Sequence, residues 1–483
     1  MASTIIPNLN GTNWLIHPEG IYPHAIPITA TMPLPLQWYL IACSLVVGIS
    51  YFIASAGPLS SRPRQTFITI RVSWPAKRII RSTRKVIPLF AVCSFLVGII
   101  AGLIGSSDPL HNIAPTLFWT VAWVGVSIIV AILADIWLVI NPWITLYNWI
   151  QPLAPKISST TKTIRVRNWI KKLEAWPAFG LFICFSWFEL IYPAAIIPLH
   201  LSVVITIYTV ITLIGIHICG REIWVRGAEF FSVAFHLVGK ASPLKLSSRL
   251  SNPNISGDSK TVLVLANPIS KLSAQPYPDL SSSCFVILML STMTIDGLMT
   301  TSEWMILLSL LQPTGLHSVA IETCFWLLGI AMFQGAYWIC MSLVAKCAKN
   351  RVLTQILGCS FSLSLMPIVV GYLIAHYLSL FVVQGQLIIP LLSDPFGFGW
   401  DVLGTRDYRI DLNLFGPQLY WTVAVSSVLL GHILSVLVAH VVSVGYFGQT
   451  SKLFSSLVCT PLILLMIGYT VLSLWILAQP IMG

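Results

Sequence analysis

The sequence predicts an all-α fold, a polytopic bundle of about ten transmembrane helices. Of the 483 residues, 56% are hydrophobic and only 9% are charged, and the apolar residues gather in ten long runs. A soluble domain carries about 25% charged residues. This composition therefore excludes a soluble enzyme and a nucleic-acid-binding protein, and the lipid bilayer is the first partner that the sequence predicts.

Each apolar run is long enough to cross the hydrocarbon, which takes about 20 residues in a helix. The predicted spans are 36–56, 86–104, 116–140, 176–196, 199–219, 283–301, 318–345, 352–384, 418–442 and 454–478. The stretch from Pro193 to Pro198 predicts a tight hairpin between the fourth and fifth spans, and Pro367 predicts a kink or a tilt in the eighth. Continuous runs of this length favour helices over barrel strands.

The basic residues orient the bundle and explain its net charge of +11. Lys and Arg prefer the cytoplasmic side of a membrane. Alternate loops, namely 57–85, 141–175, 220–282, 346–351 and 443–453, carry 25 of the 27 basic residues. With ten crossings, this alternation predicts that both termini are extracytoplasmic.

The chain is expected to form one transmembrane domain, 36–482, behind an exported arm, 1–35. The arm is rich in proline and lacks the basic and apolar regions of a signal peptide. Residues 222–238 mix aromatic with charged residues and predict an amphipathic helix on the cytoplasmic face. The longest polar cytoplasmic loop is 241–282, and the extracytoplasmic loop 385–417 has the length and glycine content of a lid.

Few ionisable residues lie inside the predicted spans. Such a residue costs at least about 2.5 kcal/mol and usually faces the protein interior with a partner or a function. Position along the helices sorts these residues into two layers. The outer layer holds Glu189, Asp296 and His376 with His432 beneath them, and the inner layer holds Asp135 and His440. The inner two are expected to pair with basic residues of the cytoplasmic loops.

The outer layer lies on the same side as an acidic loop, residues 384–411. This loop contains Asp394 and Asp401 among several glycines, and Asp394 precedes a proline, which is typical of a turn. The loop is expected to cover a site or to fold as a plug.

Two carboxylates and an imidazole could hold a divalent metal ion of unassigned identity, whose bound water would be a nucleophile. In this interpretation Glu189, Asp296, His376 and His432 hold the ion, and Asp394 or Asp401 is catalytic by orienting water or closing the loop. The same groups could relay protons, coordinate a transported cation, or only hydrogen-bond neighbouring helices. The ten cysteines form no CxxC pair or zinc-spaced cluster.

A series of motifs resembles the bacterial fenitrothion hydrolase family of polytopic membrane proteins. The motifs are NIAPTLFW at 112–119, DIWLVINPW at 135–143, WFELIYP at 187–193, RGAEFFSV at 226–233, TIDG at 294–297, AHYLSL at 375–380, QGQ at 384–386, SDPFGFGWDVLGT at 393–405 and GHILSVLVAH at 431–440. The resemblance spans most of the chain. It implies a multi-pass protein of a prokaryotic plasma membrane that hydrolyses organophosphate triesters, with a related membrane subunit as a partner.

Two functional hypotheses of different class therefore stand. The first is a metal-assisted phosphotriester hydrolase whose site opens to the extracytoplasmic side. The second is a non-catalytic scaffold or transport-related subunit of a larger membrane complex. A stoichiometric transition metal in the purified protein would favour the first hypothesis.

Overall fold

The computed structural model describes residues 35–56, 67–71, 74–153, 161–247, 262–274, 276–311, 317–348, 353–412, 414–447 and 458–479. The helices are α1 (Leu36–Ala56), α2 (Trp74–Ile104), α3 (Ile113–Ile132), α4 (Trp137–Ile140), α5 (Pro142–Ile150), α6 (Thr161–Lys172), α7 (Trp176–Leu190), α8 (Pro198–Cys219), α9 (Arg221–Gly227), α10 (Phe230–Ala241), α11 (Pro268–Leu272), α12 (Leu280–Met299), α13 (Ser302–Leu311), α14 (Ser318–Cys347), α15 (Thr354–Ser362), α16 (Met366–Gln384), α17 (Ile388–Ser393), α18 (Pro417–Phe447) and α19 (Thr460–Ala478). The strands are β1 (Phe67–Arg71), β2 (Leu244–Ser247) and β3 (Val262–Ala266). Nearly all of the predicted arm, parts of the 241–282 loop and the start of the tenth predicted span lie outside the described residues.

The predicted all-α bundle is confirmed. Within the described part of the chain, nine helical stretches are long and apolar enough to cross a membrane, and α6 with α7 makes a tenth that is bent by 70°. The beginning of α1 lies beside the end of α19, because Leu40 and Cys43 pack with Leu474 and Leu477. The first described helix therefore starts, and the last one ends, on the same face of the bundle. A chain that starts and ends on one side of a membrane crosses it an even number of times. This parity favours ten spans, with α7 as the fourth.

The connections sort into two faces, as the basic residues predict. On one face, β1 from the 57–85 loop pairs antiparallel with β3, and β3 pairs with β2, both from the 220–282 loop. On the other face, the 105–112 connection meets the loop after α17 where the Ser106 amide donates to the Phe396 carbonyl at 2.7 Å. We call these the basic face and the opposite face. The sheet was not predicted, since strands of four or five residues give little alternation to recognise.

The eighth predicted span is interrupted just before Pro367. Leu363–Leu365 forms a 3-10 turn, and α16 restarts at Met366 with the proline in its first turn. Proline lacks the amide that would continue the helical ladder. The hydroxyl of Ser435 on α18 donates to the carbonyl of Ser364 in this turn, so the interruption keeps its hydrogen bonding inside the bundle.

Two glycines let α16 and α18 pack closely. A methyl group added at Gly431 would lie 2.5 Å from the Pro367 carbonyl oxygen, and one added at Gly371 would lie 2.4 Å from the Ser427 carbonyl oxygen. Small residues at helix crossings allow such backbone approach in membranes. The crossing fixes α16, which carries part of the candidate site.

Two predicted elements are wrong in detail. The third span does not continue to residue 140, because α3 ends at Ile132 and Asn141 caps a new helix, α5, by accepting from the Ile144 amide. Residues 222–238 do not form one surface amphipathic helix. The chain breaks after Gly227, and α10 is buried along its apolar side because its phenylalanines pack against tryptophans of α3, α4 and α5.

Candidate functional site

Asp296, His376 and Tyr377 form a hydrogen-bonded group inside the bundle, which we call the acid–imidazole cluster. Asp296 Oδ2 lies 2.9 Å from His376 Nε2 and accepts a hydrogen bond from the Tyr377 hydroxyl, also at 2.9 Å. The Asp296 and His376 side chains are 5% and 8% exposed. The sequence placed these two residues in one layer, and the structure joins them directly.

The helices that carry the cluster explain its position. Asp296 lies on α12, a helix that is buried along nearly its whole length, so its carboxylate must find partners within the protein. His376 and Tyr377 are neighbours on α16 and reach the same carboxylate oxygen. Tyr372, one turn earlier, stacks on the His376 ring with centroids 5.8 Å apart and planes inclined by 10°. The imidazole is thus held by a carboxylate at its edge and a phenol on its face.

Glu189 lies beside the cluster across a small cavity. It is 6% exposed and occupies the last turn of α7. Glu189 and Tyr377 both line the cavity, which offers a volume of about 10 Å³ to water centres, close to the space that one water molecule needs. The Trp123 side chain, which lines the same cavity, hydrogen-bonds Glu189. Glu189, Tyr377, Asp296 and His376 therefore follow one another in a row.

A π-helical stretch of α3, Thr116–Gly125, shapes the surroundings of Glu189. It presents Trp123 to the carboxyl group. It also places Trp119, whose indole donates to the Ala195 carbonyl at 3.2 Å in the turn that follows α7. π-helical segments are rare and occur frequently at functional sites. This local winding could not be predicted from the apolar pattern of the span.

His432 lies outside the acid–imidazole cluster. Its Nδ1 lies 2.8 Å from the Val428 carbonyl of its own helix, and among the described residues its Nε2 has no hydrogen-bond partner. No three His, Cys, Asp or Glu side chains in the described part of the chain lie close enough together to hold a metal ion. Of the four predicted ligands, only Asp296 and His376 are in contact, and the divalent metal stays a prediction.

Asp394 organises the acidic loop on the opposite face. Its carboxylate accepts hydrogen bonds from the backbone amides of Phe398 at 3.0 Å, Gly399 at 2.6 Å and Trp400 at 3.0 Å. These bonds use three of the roughly four acceptor sites that a carboxylate offers. The structure thus gives Asp394 a role in folding the loop, and a catalytic role stays a prediction.

Asp401 closes the same loop and should make it sensitive to pH. Its carboxylate accepts from the Ser393 hydroxyl at 2.8 Å and from the Arg406 amide at 3.2 Å. These bonds, that of Ser393 foremost, lower the pKa of Asp401 below its usual 3.8. A carboxylate whose pKa is lowered by folding stabilises the folded loop above its unfolded pKa, and this stabilisation is lost as the pH falls through the folded pKa.

We therefore expect the amides of 394–412 to be protected from hydrogen exchange at pH 6 and to lose protection at about pH 3. Exchange measured at both values, corrected for the intrinsic rate, checks this. The Asp401→Asn variant serves as control and should show little change between the two values. Equal protection of the wild-type loop at both values would contradict the expected role of Asp401.

The two residues of the predicted inner layer do not meet. Asp135 lies in the break between α3 and α4, where its Oδ2 is 3.7 Å from His236 Nδ1 on α10. His440 contacts the Tyr51 ring edge-on, with centroids 6.0 Å apart. The partner of Asp135 is thus the imidazole of His236, whereas the sequence predicted a basic residue of a cytoplasmic loop.

A second buried carboxylate, Glu229, was missed by the sequence analysis. It is 1% exposed and caps α10 by accepting from two backbone amides of its first turn. It also accepts from Tyr208 Oη at 3.0 Å, Asn141 Nδ2 at 3.2 Å, Trp137 Nε1 at 3.4 Å and the Ser232 hydroxyl. Glu229 belongs to the RGAEFFSV motif, whereas Trp137 and Asn141 belong to DIWLVINPW. Both motifs had been recognised in the sequence and could have indicated this contact. Because 222–238 was predicted to lie on the membrane surface, the two motifs were not connected.

The fold and the buried cluster define an all-α, multi-pass membrane protein with ionisable groups at its core. The chain matches no family model, no curated protein and no solved structure. The resemblance to the fenitrothion hydrolase family therefore stays a prediction from the sequence motifs.

Proposed function

We propose that the chain is a transport-related membrane protein that passes protons along the row Glu189, Tyr377, Asp296 and His376. The observation that supports this function is the position of Tyr377. Its hydroxyl donates to Asp296, and its side chain also lines the cavity that Glu189 faces. A phenol placed in this way connects two carboxyl groups that come from different helices.

Each neighbour in the row can exchange a proton with the next. A water molecule in the cavity would bridge Glu189 and Tyr377, because the cavity has space for about one. From Tyr377 the row continues to Asp296 and His376 through contacts of 2.9 Å. Chains of Asp, Glu and His inside membrane spans are typical of proton relays in pumps and transporters.

The hydrolase hypothesis is supported by the motif resemblance. It would use Glu189, Asp296, His376 and His432 as metal ligands and Asp394 or Asp401 beside them. A cavity of about 10 Å³ is far below the roughly 300 Å³ or more of ordinary ligand pockets, so a phosphotriester would enter only if the helices parted. Metal analysis of the purified protein, together with turnover of an organophosphate by the wild type and by His376→Ala, tests this alternative.

Proton passage can be measured with the purified chain in potassium-loaded vesicles that contain a pH-sensitive dye. Valinomycin creates an inside-negative potential, which drives protons inward. We expect the interior to acidify faster than in vesicles without protein. Acidification at the rate of protein-free vesicles would contradict the proposal. Subunits that remain bound during purification would place the chain in the larger membrane complex of the second hypothesis.

A further inference from the structure

The helix α6 lies at the basic face, where the chain turns sharply into the bundle. It is bent by 70° from α7, the span that carries Glu189. The Arg167 Nε donates to the Ile218 carbonyl at 2.8 Å, which ties α6 to the end of α8. If α7 alone crosses the membrane as the fourth span, a helix bent from it by 70° lies closer to the membrane plane than to its normal.

A shallow surface depression of about 390 Å³, which we call the groove, lies along α6. Its described lining belongs to α6 alone and consists of Ile164, Arg165, Asn168, Trp169 and Lys172. Two cations and an amide therefore stand beside two apolar side chains, and none of the described lining residues is acidic. Ile164 and Trp169 are 49% and 59% exposed, so the apolar part of the lining is open to an occupant.

We propose that this groove binds the headgroup of an anionic phospholipid. Arg165 and Lys172 supply positive charge and Asn168 supplies amide donors for a phosphodiester. Trp169 and Ile164 supply the apolar contact that the glycerol and upper acyl carbons of a lipid need. Indole rings favour the level of the headgroups, and basic residues at that level attract anionic lipid.

The lining favours lipid over a free anion. A site for inorganic phosphate gains nothing from an exposed tryptophan and isoleucine, whereas an amphiphilic ligand uses both halves of the groove. The proposal is independent of the proton row, since none of the groove residues belongs to it.

The proposal is tested with the full chain in a neutral detergent, titrated with fluorescent phosphatidylglycerol. Lys172→Gln is compared with Lys346→Gln, which removes one positive charge from an exposed lysine at the end of α14 on the same face. A basic residue near anionic lipid contributes about a fivefold change in affinity. We expect Lys172→Gln to weaken phosphatidylglycerol binding by about that factor, and Lys346→Gln to leave it unchanged.

Two further measurements separate the alternatives. Trp169→Ala keeps every charge and should also weaken lipid binding, whereas phosphatidylcholine should bind the wild type poorly. Equal effects of the two lysine substitutions, or equal binding of the two lipids, would overturn the proposal. Displacement of the lipid by millimolar inorganic phosphate would identify the groove as a site for free anions and would likewise overturn it.

Discussion

Asp296→Asn is expected to reduce proton flux through the reconstituted protein by a factor of about 100 or more, the usual contribution of a positioned proton-transfer group. Asparagine keeps the size of the side chain and can still accept from Tyr377, but it cannot take up and release a proton. Since Asp296 joins Tyr377 to His376 in the row, its loss interrupts the path in the middle. The measurement is dye acidification in vesicles, with protein content matched between samples.

Asp135→Asn is the matched control, because Asp135 is also an aspartate beside a histidine, with 3.7 Å between them, but it lies at the break between α3 and α4. Its flux should equal that of the wild type. Asp296→Glu should restore part of the flux, which a purely structural role would not predict. Undiminished flux in a correctly inserted Asp296→Asn protein would remove the row from the mechanism.

Glu229→Ala is expected to lower the free energy of unfolding by about 3 to 5 kcal/mol. The carboxylate accepts from side chains of α4, α8 and α10 and from two amides at the start of α10. Its removal leaves these buried donors without an acceptor. Unfolding in mixed micelles, followed by circular dichroism or tryptophan fluorescence, measures the loss.

Glu222→Ala provides the comparison seven residues earlier. Glu222 pairs with Arg226 at 3.1 Å, but both side chains are more than three-quarters exposed. Exposed pairs of this kind contribute about 1 kcal/mol or less. Similar stability losses in the two variants would mean that the Glu229 contacts contribute far less than their number suggests.

The spans, their alternation between two faces and the placement of Asp296 and His376 in one layer were accessible to sequence reasoning. Lipid allows only long apolar helices, and an ionisable side chain in such a helix must turn inward toward a partner. These constraints are strong enough to act without knowledge of the tertiary structure. The interruption of the helix at Pro367 was also accessible, because the missing amide is a local property of the chain.

The remaining features depend on packing between distant segments. The burial of α10 follows from its phenylalanines, which pack on tryptophans of three other helices, and no pattern within 222–238 reports those tryptophans. Likewise, the carboxylate of Asp394 is occupied by amides of its own loop, a detail of turn geometry. The residue types indicated where a buried charge would destabilise the protein. The hydrogen-bond donors that stabilise such a charge depend on the tertiary structure.

The small sheet on the basic face also affects the order in which the protein is made. Its central strand, β3, is synthesised about 190 residues after β1, although the two pair residue by residue. At ordinary translation rates of 5–20 residues per second, the first strand waits roughly 10 to 40 s for its partner. During that interval several hydrophobic helices are synthesised while β1 lacks the strand that it pairs with in the folded protein. The sheet is therefore completed only when a single short strand arrives, which joins the 57–85 loop to the 220–282 loop.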